Sequence, residues 1–156
     1  GTNGCVYIDE DGGVLAGSRS QWITPEAENH GFAKWVRDHA DELRDLGPGY
    51  HYGEWWGSGI NKRHYGLEKG EKRWSLFNTH RWAEKRPSCC DVVPILYTGP
   101  MSTEAVNSIL NDLRVSGSHV TPGFMNPEGV VIYHTASRAL FKVTLENDDV
   151  PKLMAK

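Results

Sequence analysis

GTNGCVYIDEDGGVLAGS, residues Gly1 to Ser18, reads as a β-hairpin, and that reading decides the fold class. Thr2 to Ile8 is strand-prone, with Thr2, Val6, Tyr7 and Ile8 among its residues. Asp9-Glu-Asp-Gly-Gly13 supplies turn chemistry, and Val14 to Ser18 is the returning strand. A hairpin at the start implies antiparallel pairing. The first four residues, Gly1-Thr2-Asn3-Gly4, look like a turn with no strand leading into it.

Working outward, Thr24-Pro25 breaks the β pattern. A helix is expected from about Asn29 to Leu46, with Phe32, Trp35, Val36, His39, Leu43 and Leu46 on one face at helical spacing. Gly47-Pro48-Gly49 ends it. β-prone segments follow at Tyr50 to Trp56, Arg73 to Thr79 and Val92 to Tyr97. A second helix should start at the cap Ser102 and run to about Arg114, burying Val106, Ile109, Leu110 and Leu113. Gly129 to His134 and Ala139 to Leu145 read as two further strands. The expected class is α+β, mostly antiparallel sheet with flanking helices, in one domain over residues 1–156.

With 38% apolar and 24% charged residues in a chain of 156, the composition is that of a folded globular protein. No apolar run reaches the ~20 residues of a membrane span, so no membrane partner is expected. Three cysteines, Cys5 and the adjacent Cys89-Cys90, make neither a disulfide framework nor a paired zinc-ligand set. A reducing, cytoplasmic setting is expected. The net charge of −3 conceals a basic stretch: between Lys62 and Arg86 lie eight Lys/Arg against three acids, interleaved with Tyr65, Trp74, Phe77 and Trp82. Such a stretch suits a phosphate backbone with stacked bases, and equally suits a solvated lysine-rich loop.

Three short stretches put charge where a strand should be apolar. In Tyr52-Gly-Glu-Trp-Trp-Gly57, Glu54 sits among aromatics with glycines that allow close backbone approach. Burying it would cost several kcal/mol without a partner, so it is either a ligand-binding acid or lies on a solvent face or beside an arginine. In Asn126-Pro-Glu-Gly-Val-Val-Ile-Tyr133, Glu128 comes immediately before a β run, as a pocket residue or an ordinary turn acid. In Arg138-Ala-Leu-Phe-Lys-Val-Thr-Leu145, Lys142 needs an anion such as phosphate, or else snorkels to solvent.

Taken in order, these stretches resemble the covalent nucleotidyltransferase superfamily of ligases and capping enzymes, and within it the RNA ligase family that includes phage-type nick-sealing enzymes. That family's signature, Lys-x-Asp-Gly or Lys-x-His-Gly, commonly continues Thr-Asn-Gly, and Gly1-Thr2-Asn3-Gly4 matches its tail. The resemblance implies an ATP-grasp-like DNA/RNA ligase adenylation core, with its nucleophilic lysine three residues before Gly1 and one or more N-terminal strands missing. It implies that Asn3 and Arg19 contact phosphates, Glu54 the ribose hydroxyls, and Phe77 the adenine. Glu128 would help hold Mg2+ or Mn2+, and Lys142 would contact the α-phosphate. All would converge around one mononucleotide. The implied partners are ATP, carried as an AMP adduct, and RNA ends or a nicked duplex along Lys62 to Arg86. Two positions depart from the family pattern: Thr144 where a second lysine is frequent, and Asn78 where Asp is usual. DNA ligase and guanylyltransferase share the pocket and are the less expected alternatives, since no appended OB-type domain is expected after Lys156. A non-catalytic nucleotide- or nucleic-acid-binding module is the remaining alternative.

Overall fold

In the computed structural model, which describes residues 1–146 together with 152 and 153, the opening hairpin forms as its residues dictate. Strands β1 (Thr2–Ile8) and β2 (Val14–Gly17) pair antiparallel from Cys5↔Gly17 to Ile8↔Val14. The Asp9 carboxylate fixes the turn by accepting from the backbone N–H groups of Asp11 at 2.9 Å and Gly13 at 2.7 Å.

The chain forms two compact units, Gly1–Pro94 and Ile95–Lys156. The first is built on a six-stranded sheet in the order β3-β2-β1-β4-β5-β6. Here β3 is Trp22–Ile23, β4 Gly49–Gly57, β5 Lys72–Leu76 and β6 Asp91–Val92. Because strand side chains alternate, one face of this sheet collects Val6, Ile8, Ala16, Ile23, Trp55, Trp74 and Leu76, all buried. Phe32 and Val36 of helix α1 (Phe32–Asp38), Leu43 of α2 (Ala40–Leu43) and Leu46 of a 3-10 turn join them in one core. The packing is tight enough to dictate a motif residue. A Cβ on Gly4 would lie 2.7 Å from Cζ of Phe32, so glycine is required there by α1.

The expected helix over residues 29–46 is broken in the structure. Gly31, at φ 83°, delays its start to Phe32, and the Glu28 carboxylate caps it by accepting from the N–H of Ala33 and Lys34. His39 then departs to φ −112°, ψ 15°, its Nδ1 2.8 Å from the carbonyl of Trp35 and its ring stacked on that indole. The apolar face survives the break because both pieces pack on the same sheet. The strand expected over Arg73 to Thr79 stops at Leu76, where Asn78 caps a short helix α3 (Thr79–Trp82) by accepting from the Arg81 N–H at 3.3 Å. The strand expected over Val92 to Tyr97 shrinks to Asp91–Val92 and ends before Pro94, which has no N–H to offer a ladder. It pairs parallel to β5, so the sheet is mixed, with antiparallel pairing predominating as expected.

His51 lies on the core face of β4, 4% exposed, with Nε2 2.7 Å from the Gly47 carbonyl. Burial pushes its pKa below the ordinary 6.5. The unfolded chain therefore binds a proton that the folded one refuses, and stability should fall as pH drops below about 6.5. Urea midpoints at pH 7 and pH 5 should differ less in His51→Gln than in the parent chain; an equal slope would show that other groups govern the acid side.

In the second unit, Ser102 caps helix α4 (Thr103–Ser116) by accepting from the Ala105 N–H at 3.0 Å, as its sequence suggests. Of the four expected apolar positions, Leu110 and Leu113 are buried, while Val106 and Ile109 are half-buried. Strands β7 (Gly129–His134), β8 (Ala139–Thr144) and β9 (Lys152–Leu153) form an antiparallel sheet in that order. Among the described residues no helix is long and apolar enough to cross a membrane.

Candidate functional site

Register decides which side chains share the face of the six-stranded sheet that the core leaves open. Asn3 pairs with Glu54, Glu54 with Ser75, and Ser75 with Asp91. Directly paired residues project to the same side, so these four form one polar row across β1, β4, β5 and β6. Arg19 follows β2, two residues beyond the registered Cys5↔Gly17 pair, and is exposed; continued, that register would set it opposite Asn3.

Glu54 keeps 36% of its side chain exposed, with Oε1 3.8 Å from the Gly1 amine, whose nitrogen also donates to the Tyr65 hydroxyl. On one side the row is bounded by Trp56, which donates its indole N–H to Ser75 Oγ at 2.9 Å and meets the edge of Tyr65. On the other side lie Tyr52, two residues before Glu54 on β4, and Phe77, whose N–H donates to the Tyr52 carbonyl. Both rings are exposed, Tyr52 at 57% and Phe77 at 46%. Cys5, registered against Tyr52, is buried, and that burial raises its thiol pKa, which makes it a packing residue. A pocket of about 140 Å³ opens beside the rings, lined by Tyr50, His51, Tyr52, Phe77, Arg81 and Trp82.

The basic segment is used unevenly. Lys72 donates to the His30 carbonyl, Arg73 pairs with Glu71 at 2.7 Å, and Arg86 holds the carbonyls of Trp82, Ala83 and Cys90. Lys62, Lys69 and Lys85 are exposed, and Arg81 lies 4.4 Å over the Trp82 ring. Of the four interleaved aromatics, Trp74 is core, Tyr65 and Trp82 are half-buried, and Phe77 is the one held largely outward.

In the second unit, Lys142 Nζ donates to Glu128 Oε1 at 2.6 Å. The anion that Lys142 requires is thus supplied by the other expected site residue. Both side chains are more than a third exposed, so the pair contributes no more than about 1 kcal/mol and can open for a competing anion. Gly129 makes this contact possible: at φ 152° it brings β7 so close to β8 that a Cβ would lie 2.1 Å from the Val143 carbonyl oxygen. Thr144, where a second lysine would be usual, is registered against Gly129.

Sequence reasoning missed Ser75, Asp91, Tyr50 and Tyr52. The available signal was the period of two through Tyr50, Tyr52, Glu54 and Trp56, which puts them on one face but leaves open which face is buried. Cys89 and Cys90 hold their sulfurs 3.8 Å apart, and all three cysteines are free. Among the described residues no three His, Cys, Asp or Glu side chains gather in a metal cluster. A single carboxylate such as Glu128 nevertheless fits Mg2+ held mainly by phosphate oxygens and water.

A family model described as RNA ligase matches residues 1–144. No curated protein and no solved structure matches the chain.

Proposed function

The chain belongs to the RNA ligase family, and from that premise we propose that it is the nucleotidyltransferase core of an ATP-dependent RNA ligase, joining 3′-hydroxyl to 5′-phosphate ends. The observation that carries the reading is the pairing of Asn3 with Glu54 on the open sheet face, directly beside the exposed rings of Tyr52 and Phe77. A polar row next to an aromatic surface suits a nucleotide, which presents hydroxyls and phosphates at one end and a flat base at the other.

In this assignment the Glu54 carboxylate accepts hydrogen bonds from the ribose hydroxyls and fixes the sugar. Phe77 stacks on the adenine. The Asn3 amide donates to phosphate oxygens, and Arg19 adds charge. Within the second unit, Lys142 on leaving Glu128 would have a phosphate oxygen as its anion, the role that the family resemblance gives it in in-line displacement. Glu128 would hold the divalent metal, which when bound supplies further positive charge at the phosphates. The AMP carried on a 5′-phosphate leaves as the 3′-hydroxyl oxygen attacks, so one phosphoanhydride bond breaks as one phosphodiester forms.

A nicked RNA duplex whose 5′ end already bears AMP tests this without requiring a protein nucleophile. With Mg2+ or Mn2+ present, the chain should seal it and release AMP. No sealing, together with no measurable ATP or AMP binding by the same preparation, would leave only a nucleic-acid-binding module.

A further inference from the structure

We propose that the aromatic half of the open sheet face is a stacking platform for the unpaired bases of a single-stranded RNA end. This deepens the nucleotide reading by naming the strand that site would serve, and rests on it for the choice of RNA.

Beyond Tyr52 and Phe77 the same face carries Tyr50 and Tyr7, directly paired across β4 and β1 with ring centroids 4.7 Å apart. Trp22 is registered against Gly17 at the far edge. Its ring lies 6.1 Å from Tyr7 and 6.2 Å from Tyr50, and a Cβ on Gly17 would lie 3.3 Å from the indole, so the missing side chain lets Trp22 lean over β2. Trp22 and Tyr50 stand 26° apart in plane, and Tyr50 and Tyr52 only 7°. Trp22 is 53% exposed and Tyr50 56%. A sheet side chain this large is ordinarily covered.

What covers it is indicated by charge. None of these positions is acidic, and two cations flank them: Arg81, which lines the pocket with Tyr50, Tyr52 and Phe77, and Arg19, two residues after Gly17, where the platform meets the phosphate end of the nucleotide site. From Tyr50 on β4 to Trp22 on β3 the platform crosses three strand intervals, about 14 Å, enough for a few nucleotides laid alongside the nucleotide site. Rings for bases with arginines for phosphates is the combination that holds a single strand without reading its sequence.

Fluorescence anisotropy with a labelled single-stranded RNA of about ten nucleotides tests the proposal on the full chain. Trp22→Ala and Tyr50→Ala should each weaken binding about tenfold, while Trp22→Phe retains most of it. ATP binding, measured in parallel by calorimetry, should be unchanged in both alanine variants, as should their melting temperatures. Blunt RNA duplex, whose bases are already stacked, should bind each variant as it binds the parent. Unchanged single-strand affinity overturns the platform, and so does an equal loss on duplex. Conversion of a self-associated parent into monomers by Trp22→Ala also overturns it, since the face would then cover a second copy of the chain. If the parent binds no ATP yet its single-strand affinity still depends on Trp22 and Tyr50, the platform stands and the nucleotide assignment falls.

Discussion

Glu54→Ala should lower ATP and AMP affinity roughly a hundredfold and remove sealing of the adenylylated nick, while leaving the fold intact. Two hydrogen bonds from ribose hydroxyls to an ionised carboxylate, at about 1.5 kcal/mol or more each, account for a loss of that size. The stability side is small for a stated reason. Glu54 projects from the face opposite the core and its side chain is 36% exposed, so removing it takes away little buried contact. A melting temperature within a few degrees of the parent, beside lost nucleotide binding, is the expected result. Retained affinity in a folded Glu54→Ala protein would remove the ribose role and with it the proposed site.

Gly129→Ala should do the reverse, destabilising the second unit whether or not nucleotide is present. The position sits at φ 152°, which costs a side-chain-bearing residue of order 1–3 kcal/mol. The added methyl would also meet the Val143 carbonyl oxygen at 2.1 Å and the Thr144 Cα at 2.7 Å, both backbone atoms that cannot swing aside. Together these predict a loss of about 3 kcal/mol or more. All six tryptophans lie in the first unit, so indole fluorescence would miss the effect. Hydrogen exchange of the β8 amides is the suitable measurement, and they should lose protection. Full protection with weakened sealing would instead mean that Gly129 makes room for a ligand.

These two positions mark the limits of a sequence reading. Glu54 stands out in the sequence as a charge within a strand, whereas Gly129 reads there only as the first residue of one. The structure gives them different reasons: Glu54 stands on an open face, whereas Gly129 is demanded by the neighbouring strand. Gly4 follows the same logic, since the ring of Phe32 occupies the space its side chain would need. Lys142 was legible as a cation needing an anion, and that the anion is Glu128 required the pairing of β7 with β8.

The sequence by itself determined whatever a few neighbouring residues can encode. The Asp9 turn closes β1 onto β2, Ser102 starts α4, and Gly47 stops the helical stretch, because turns and caps are satisfied by groups within about four residues. Tertiary structure alone decided that Asn3 faces Glu54, that β6 runs parallel to β5, and that Trp22, Tyr7 and Tyr50 come together. Those outcomes rest on the register between strands tens of residues apart. A slip of one residue in β4 would exchange Glu54 for Trp55 on the open face, and burial of Trp55 against Phe32 and Trp35 opposes it.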